Sequence, residues 1–311
     1  MKNSYLKRYF FISLFPLFLV GTLFANSKDV LLKKQHSISA LVQVAIANEN
    51  KKGHALYIAG KERALTQKMT KEALLIALNI DVYKNRAYLK QSAKMYERIL
   101  KAFVKGDKEL KIVPAKNPKI INYIKEVMKD WRKFHKHLKP FYNANKISAK
   151  DLRYIINNNE ELLRVSNRLF LMVKNEDNFD NKLTDSMINA IDFAGRESML
   201  SQKIVKEKLL ILNGINVEAN KGKLRGSFIL FDRALRGLLD GNEKRGLSPV
   251  AVSHIRKELL AVKTIWMNMI PVIFKEDVNR EDLSRLVSLN IPLMKKSNKV
   301  VRMYEDLADL Y

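Results

Sequence analysis

Ten residues, Ala59-Gly60-Lys61-Glu62-Arg63-Ala64-Leu65-Thr66-Gln67-Lys68, return 135 positions later as Ala194-Gly195-Arg196-Glu197-Ser198-Met199-Leu200-Ser201-Gln202-Lys203. The same spacing links Arg98 to Arg233, Gly106 to Gly241 and Trp131 to Trp266. Landmarks held at one offset across the chain mark a tandem duplication. Whatever unit the first copy forms, the second must form again.

Size and charge narrow the classes. A chain of 311 residues accommodates two domains of ordinary size, and a hydrophobic content of 47% is enough for each to bury a core. The absence of cysteine excludes disulfides, thiolate metal sites, cysteine nucleophiles and covalent c-type haem. With 57 Lys+Arg against 32 Asp+Glu the net charge is +25, which points to nucleic acid, an acidic membrane surface or an anionic ligand. The N-terminus chooses among these. A basic start (Lys2, Lys7, Arg8) leads into an apolar run from Tyr9 to Phe24, broken by Ser13, Pro16, Gly21 and Thr22 and followed by Ala25-Asn26. Such a run is short for a spanning helix, so residues 1–25 are expected to be a secretory signal peptide, with an uncleaved anchor as the alternative. The expected location is periplasmic, where nucleic acid is scarce; the charge then suits small anions or anionic lipid headgroups.

Helical periodicity runs through the rest. Residues 27–50 include an alternating stretch, Leu41-Val42-Gln43-Val44-Ala45-Ile46, that leads into a helical segment and is read as helix. Helices are expected at about 52–79, 84–105, around Trp131 and at 148–174, and again at 221–240, around Trp266 and at 281–309. The second helix of each copy closes at a glycine, Gly106 or Gly241, and proline-containing connections follow. In the fourth helix Ser166-Asn167 corresponds to Ser297-Asn298, an offset of 131, so four residues are missing from the preceding turn of the second copy. The fold expected is all-α: two tandem antiparallel four-helix bundles, at 27–174 and 182–311 with a polar linker at 175–181, forming an intramolecular pseudo-dimer.

On a helical wheel Ile58, Leu65, Met69 and Ile76 form the core-facing stripe of the first helix, matched by Phe193, Leu200, Ile204 and Ile211. Gly60, Arg63, Gln67 and Thr70 fall on the opposite side, matched by Gly195, Ser198, Gln202 and Val205. A helix with a core on one face and a glycine-plus-polar stripe on the other has two partners: its own bundle and the matching helix of the other copy.

These paired motifs resemble the periplasmic sensor domains of NarX-type nitrate/nitrite sensor kinases and PilJ-type chemotaxis transducers, whose first helix carries a motif close to Ala-Gly-Arg-Gln-Arg-Met-Leu-Ser-Gln-Arg. The first copy matches at Ala59, Gly60, Arg63, Leu65 and Gln67, the second at Ala194, Gly195, Arg196, Met199, Leu200, Ser201 and Gln202. The resemblance implies two bundles meeting through their first helices, with a small oxyanion such as nitrate or nitrite held between paired arginines. Guanidinium is a flat fork of donors at fixed charge and suits a planar monoanion. Carried onto this chain, the ligand-binding residues are Arg63, Gly60, Gln67, Ser198, Gly195 and Gln202.

The match departs from the pattern where it matters most. Ser198 stands where the second arginine belongs, and losing one charge-assisted hydrogen bond of about 1.5–3 kcal/mol weakens affinity roughly ten- to a hundredfold. Arg196 and Lys61 project about 160° away from these positions, at 100° per residue, and do not replace it. Glu62 and Glu197 replace a family glutamine and add negative charge. For Arg63 the competing role is a salt bridge, to Glu62 or to a carboxylate of the other bundle.

The remaining candidates carry less. Trp131 and Trp266 read as packing, and the methionines as core filler. His135 and His137 project to different sides of a helix, cannot share a metal and read as solvated. The lysine-rich run from Lys105 to Lys116 is a solvated turn that leaves room for contact with a membrane surface. No catalytic cluster, metal site or cofactor motif stands out, so an enzyme is the weakest expectation. The sequence continues to Tyr311 without a second spanning segment or kinase linker; a sensor of this kind is expected to hand its state to a membrane receptor or histidine kinase. The alternative is a helical scaffold or interaction protein that kept the packing and lost the ligand.

Overall fold

The computed structural model describes residues 51–144, 147–176 and 183–308, together with Lys33, Lys34 and Ser37. The expected signal peptide, the expected helix before residue 51 apart from those three positions, and most of the linker lie outside the described residues. The chain divides into two compact units, Met1–Glu49 and Asn50–Tyr311. In the first, Lys33, Lys34 and Ser37 are exposed helical residues, with the Ser37 hydroxyl donating to the Lys33 carbonyl.

The second unit contains eight long helices among the described residues: α1 (Lys51–Ala77), α2 (Val82–Lys105), α3 (Pro118–Leu138), α4 (Ala149–Lys174), α5 (Asp185–Leu212), α6 (Val217–Asp240), α7 (Ser253–Phe274) and α8 (Arg280–Ala308). Within each repeat every helix packs on the next and the fourth returns to the first, closing a four-helix ring. The all-α paired-bundle architecture expected from the duplication is the one observed.

The repeat extends to single turns. Asp81 and Asn216 both take left-handed backbone before the second helix, and Gly106 and Gly241 close that helix at φ 79° and 84°. A side chain at Gly241 would come within 2.8 Å of Pro249, so both the left-handed backbone and the close approach require glycine. The slipped register is also present: Asn159 donates to the Thr66 carbonyl and Asn290 to the Ser201 carbonyl, each at 2.9 or 2.8 Å, at an offset of 131 on one side and 135 on the other. The missing residues lie between the third and fourth helices, where the first repeat adds a 3-10 turn at Lys139–Tyr142.

Core positions follow the wheel. Ile58, Leu65, Met69, Ile76, Phe193, Leu200 and Ile204 are buried and Ile211 packs against them. Trp131 and Trp266 are fully buried, with their rings tilted against Tyr96 and Phe231 respectively, as packing residues. The histidines correct the expectation of solvated side chains: His135 is half-buried, bonded to the Tyr142 hydroxyl and stacked on Trp131, and His137 bonds Asp151 and stacks on Tyr154. Aromatic neighbours on α4 and in the 3-10 turn cover faces that the α3 pattern alone leaves open.

Candidate functional site: the seam between the repeats

The largest contact between repeats is α1 against α5. The two helices run in the same direction, because every polar contact joins residues at nearly the same level of both. Along the faces they bury against each other, the polar groups they carry must find partners within the protein.

At the level of the two glycines sits Arg63, 1% exposed. Its Nη2 lies 3.5 Å from where a Cβ on Gly60 would stand and 3.2 Å from one on Gly195, so the glycines leave the space that the guanidinium fills. Nη1 donates to Asp192 Oδ1 at 3.0 Å and to Asn167 Oδ1 at 3.4 Å, and the guanidinium carbon lies 3.7 Å above the Phe170 ring. Of the two salt bridges anticipated for Arg63, the structure forms the one to the other repeat. Asp192, equally buried, also receives Arg196 at 2.9 and 3.1 Å and Lys174 at 3.4 Å. Burial alone would raise the Asp192 pKa, but the charge of Arg63, with Arg196 and Lys174, outweighs it and holds the carboxyl down at about 2.

Further along the seam the contacts become two-fold. Lys71 donates to Gln202 Oε1 and Asn290 Oδ1 at 2.8 and 2.7 Å; Lys206 donates to Gln67 Oε1 and Asn159 Oδ1 at the same distances. Gln67 and Gln202, expected as ligands, are thus claimed by buried lysines of the opposite repeat. Burial lowers both ammonium groups, Lys71 to about 7 and Lys206 to about 8. Lys206 has a carboxylate, Glu160 at 2.7 Å; in the second repeat the corresponding position is Ile291.

Around the glycines the symmetry fails. Ser198 replaces Arg63 and Tyr57 replaces Asp192, so the opposite diagonal has no ion pair; Tyr57 instead accepts from Arg302 Nε at 3.0 Å. The Ser198 hydroxyl and the Nε and Nη2 of Arg63 are buried without hydrogen-bond partners. Glu62 and Glu197 correct a sequence expectation. Both are fully buried with unpartnered oxygens, each near a tyrosine of its own bundle, and burial pushes their pKa well above the usual carboxylate range, which disfavours the negative charge expected of them.

All six residues expected at the site, Gly60, Arg63, Gln67, Gly195, Ser198 and Gln202, therefore lie on the α1–α5 seam. Sequence reasoning missed Lys71, Lys206, Asp192, Asn159 and Asn290. Lys71 falls at about 20° on the wheel, one step beyond the stripe as drawn, and recurs as Lys206; that recurrence was readable. Asp192 carried no such mark, because its counterpart is a tyrosine.

Two four-helix bundles joined in parallel through their first helices define a tandem helical-bundle module. The family model described as the N-terminal domain of type IV pili methyl-accepting chemotaxis transducers, PilJ, matches residues 44–154 and 184–286, one segment per repeat, and the chain belongs to that family. This is a signalling family rather than an enzyme family, and its domains are typically the periplasmic parts of membrane transducers. It is the PilJ model that matches, and the likeness to the NarX-type kinases stays a resemblance. No curated protein and no solved structure matches the chain. Among the described residues no helix is long and apolar enough to cross a membrane.

Proposed function

We propose that this chain is an exported, periplasmic sensory module of the PilJ kind, with repeats spanning 27–174 and 182–311, whose state is read by a partner signalling protein such as a membrane receptor or histidine kinase. In this reading the seam is a fixed joint, not the ligand site. The observation that carries it is the buried Arg63–Asp192 pair. An incoming monoanion would have to displace a carboxylate already held by three cations, in a place with little access to water.

Nitrate or nitrite recognition at the seam is the second reading. It is favoured by the unpartnered Nε and Nη2 of Arg63 and the unpartnered Ser198 hydroxyl. Calorimetric titration separates the two. The fixed joint predicts no saturable heat from either anion that depends on Arg63, and a rise of the melting midpoint with nitrate only in Asp192→Asn, where the anion gains a place beside Arg63. Saturable binding to the wild type that disappears in Arg63→Ala would overturn the joint and establish the second reading.

A further inference from the structure

A cavity of about 440 Å³ opens where α1 and α2 of the first repeat meet α8 of the second. Its lining includes Lys61, Lys68, Lys295, Lys299 and Arg302 and contains no carboxylate. Leu65, Met95 and Met294 supply an apolar surface beside these cations. The volume falls within the range of small-molecule sites, and the combination of an apolar wall with converging charges is their usual make-up.

The duplication provides an internal control, because the same place exists on the other side of the pseudo-dimer. There, Arg196 is bound to Asp192 at 2.9 Å, Lys203 to Glu160 at 2.8 Å and Arg164 to Glu161 at 2.5 Å. The cations recur in the cavity as Lys61, Lys68 and Lys295, whereas the three carboxylates are replaced by Tyr57, Ile291 and Pro292. Two lining cations keep acidic partners elsewhere, Lys68 in Glu72 and Lys299 in Glu258. Lys61, Lys295 and Arg302 have no carboxylate within ion-pair distance among the described residues, and burial together with the charge of Arg302 lowers the Lys61 pKa. One copy neutralises itself; the other leaves its positive charge open.

We propose that this cavity binds a small organic anion, its carboxylate or phosphate group held between Lys61, Lys295 and Arg302 and its apolar part resting on Leu65, Met95 and Met294. The proposal goes beyond the reading of the seam and does not depend on it, since Arg63 is sealed and does not line the cavity.

Calorimetry at low ionic strength with benzoate, citrate and pyrophosphate tests it, with benzamide as the neutral counterpart of benzoate. At least one anion is expected to bind at a single site, to weaken with added salt, and to lose at least tenfold in affinity in the double variant Lys61→Gln, Lys295→Gln. Neither lysine is in the core, so this variant should fold, which its melting curve checks. Pro292→Glu restores beside Lys295 the carboxylate that Glu161 supplies to Arg164 in the other repeat, and is expected to weaken binding without removing any lysine. Failure of all three anions to bind the wild type, or binding unaffected by both variants, would overturn the proposal. The nitrate result at the seam is untouched by either outcome.

Discussion

The two diagonals of the seam are built on the same backbone and have opposite electrostatics. Arg63 and Asp192 form a sealed ion pair across one; Tyr57 and Ser198 occupy the other without charge. Farther along, Lys206 keeps a carboxylate in Glu160 while Lys71 faces only amide oxygens from Gln202 and Asn290. Packing is what the duplication conserved, and charge placement is what it released. A buried charge is costly unless a counter-charge stands opposite: Arg63 has one in Asp192, while Lys71 forms no ion pair among the described residues and its pKa falls to about 7.

The largest effect should come from breaking the charged diagonal. Asp192→Ala leaves Arg63 buried without a counter-charge and is expected to cost about 3–5 kcal/mol in urea unfolding. Arg63→Ser combined with Asp192→Tyr makes both diagonals alike and should recover more than about 1 kcal/mol of that loss. Strict additivity of the two changes would show that the diagonals do not work as pairs.

The two buried lysines sharpen the comparison through pH. Lys71 has a folded pKa of about 7 against an ordinary 10.5, so between those values the unfolded chain binds the extra proton and stability rises with pH. The slope reaches about 1.4 kcal/mol per pH unit for one group, and Lys71→Met should remove it. Lys206, held by Glu160 at about 8, should give a narrower window. Equal windows would mean that the missing carboxylate at Ile291 is without effect.

The buried glutamates supply the symmetric control. Their folded pKa values are raised, so the stability they allow is present in acid and is lost as pH rises. Glu62→Gln and Glu197→Gln should each stabilise the protein more at pH 8 than at pH 4, and by similar amounts, in paired urea unfolding curves. A gain confined to one copy would break the symmetry where the structure retains it.

The smallest effect lies outside the two-fold pattern. His54 faces Glu305 through Nδ1 and the Leu110 carbonyl through Nε2, so both ring nitrogens are best satisfied as donors. Burial lowers its pKa and the charge of Lys111 opposes protonation, but Glu305 and the carbonyl prevail and raise it. The stabilisation is complete below the ordinary histidine value and is lost as pH rises through the raised one. His54→Gln should therefore cost more at pH 5.5 than at pH 8, by about 1 kcal/mol, in paired thermal melts.

Helix positions, the meeting of the first helices and the four-residue slip were legible because a repeat states each of them twice. The glycine stripe was legible for the same reason. What could not be read was everything the copies do differently. Asp192 has no echo in Tyr57, and Glu160 none in Ile291, so comparing the copies cast both as incidental. The raised pKa of Glu62 and Glu197 was hidden for another reason: a glutamate in sequence looks charged, and only complete enclosure works against that.

The covalent fusion of the two bundles carries a consequence of its own. An assembly of identical subunits must repeat every substitution on both sides of its axis, so an arginine facing an aspartate on one side only is closed to it. Joined in one polypeptide, the halves are free to specialise, so one side can keep a sealed ion pair while the other carries unpaired cations.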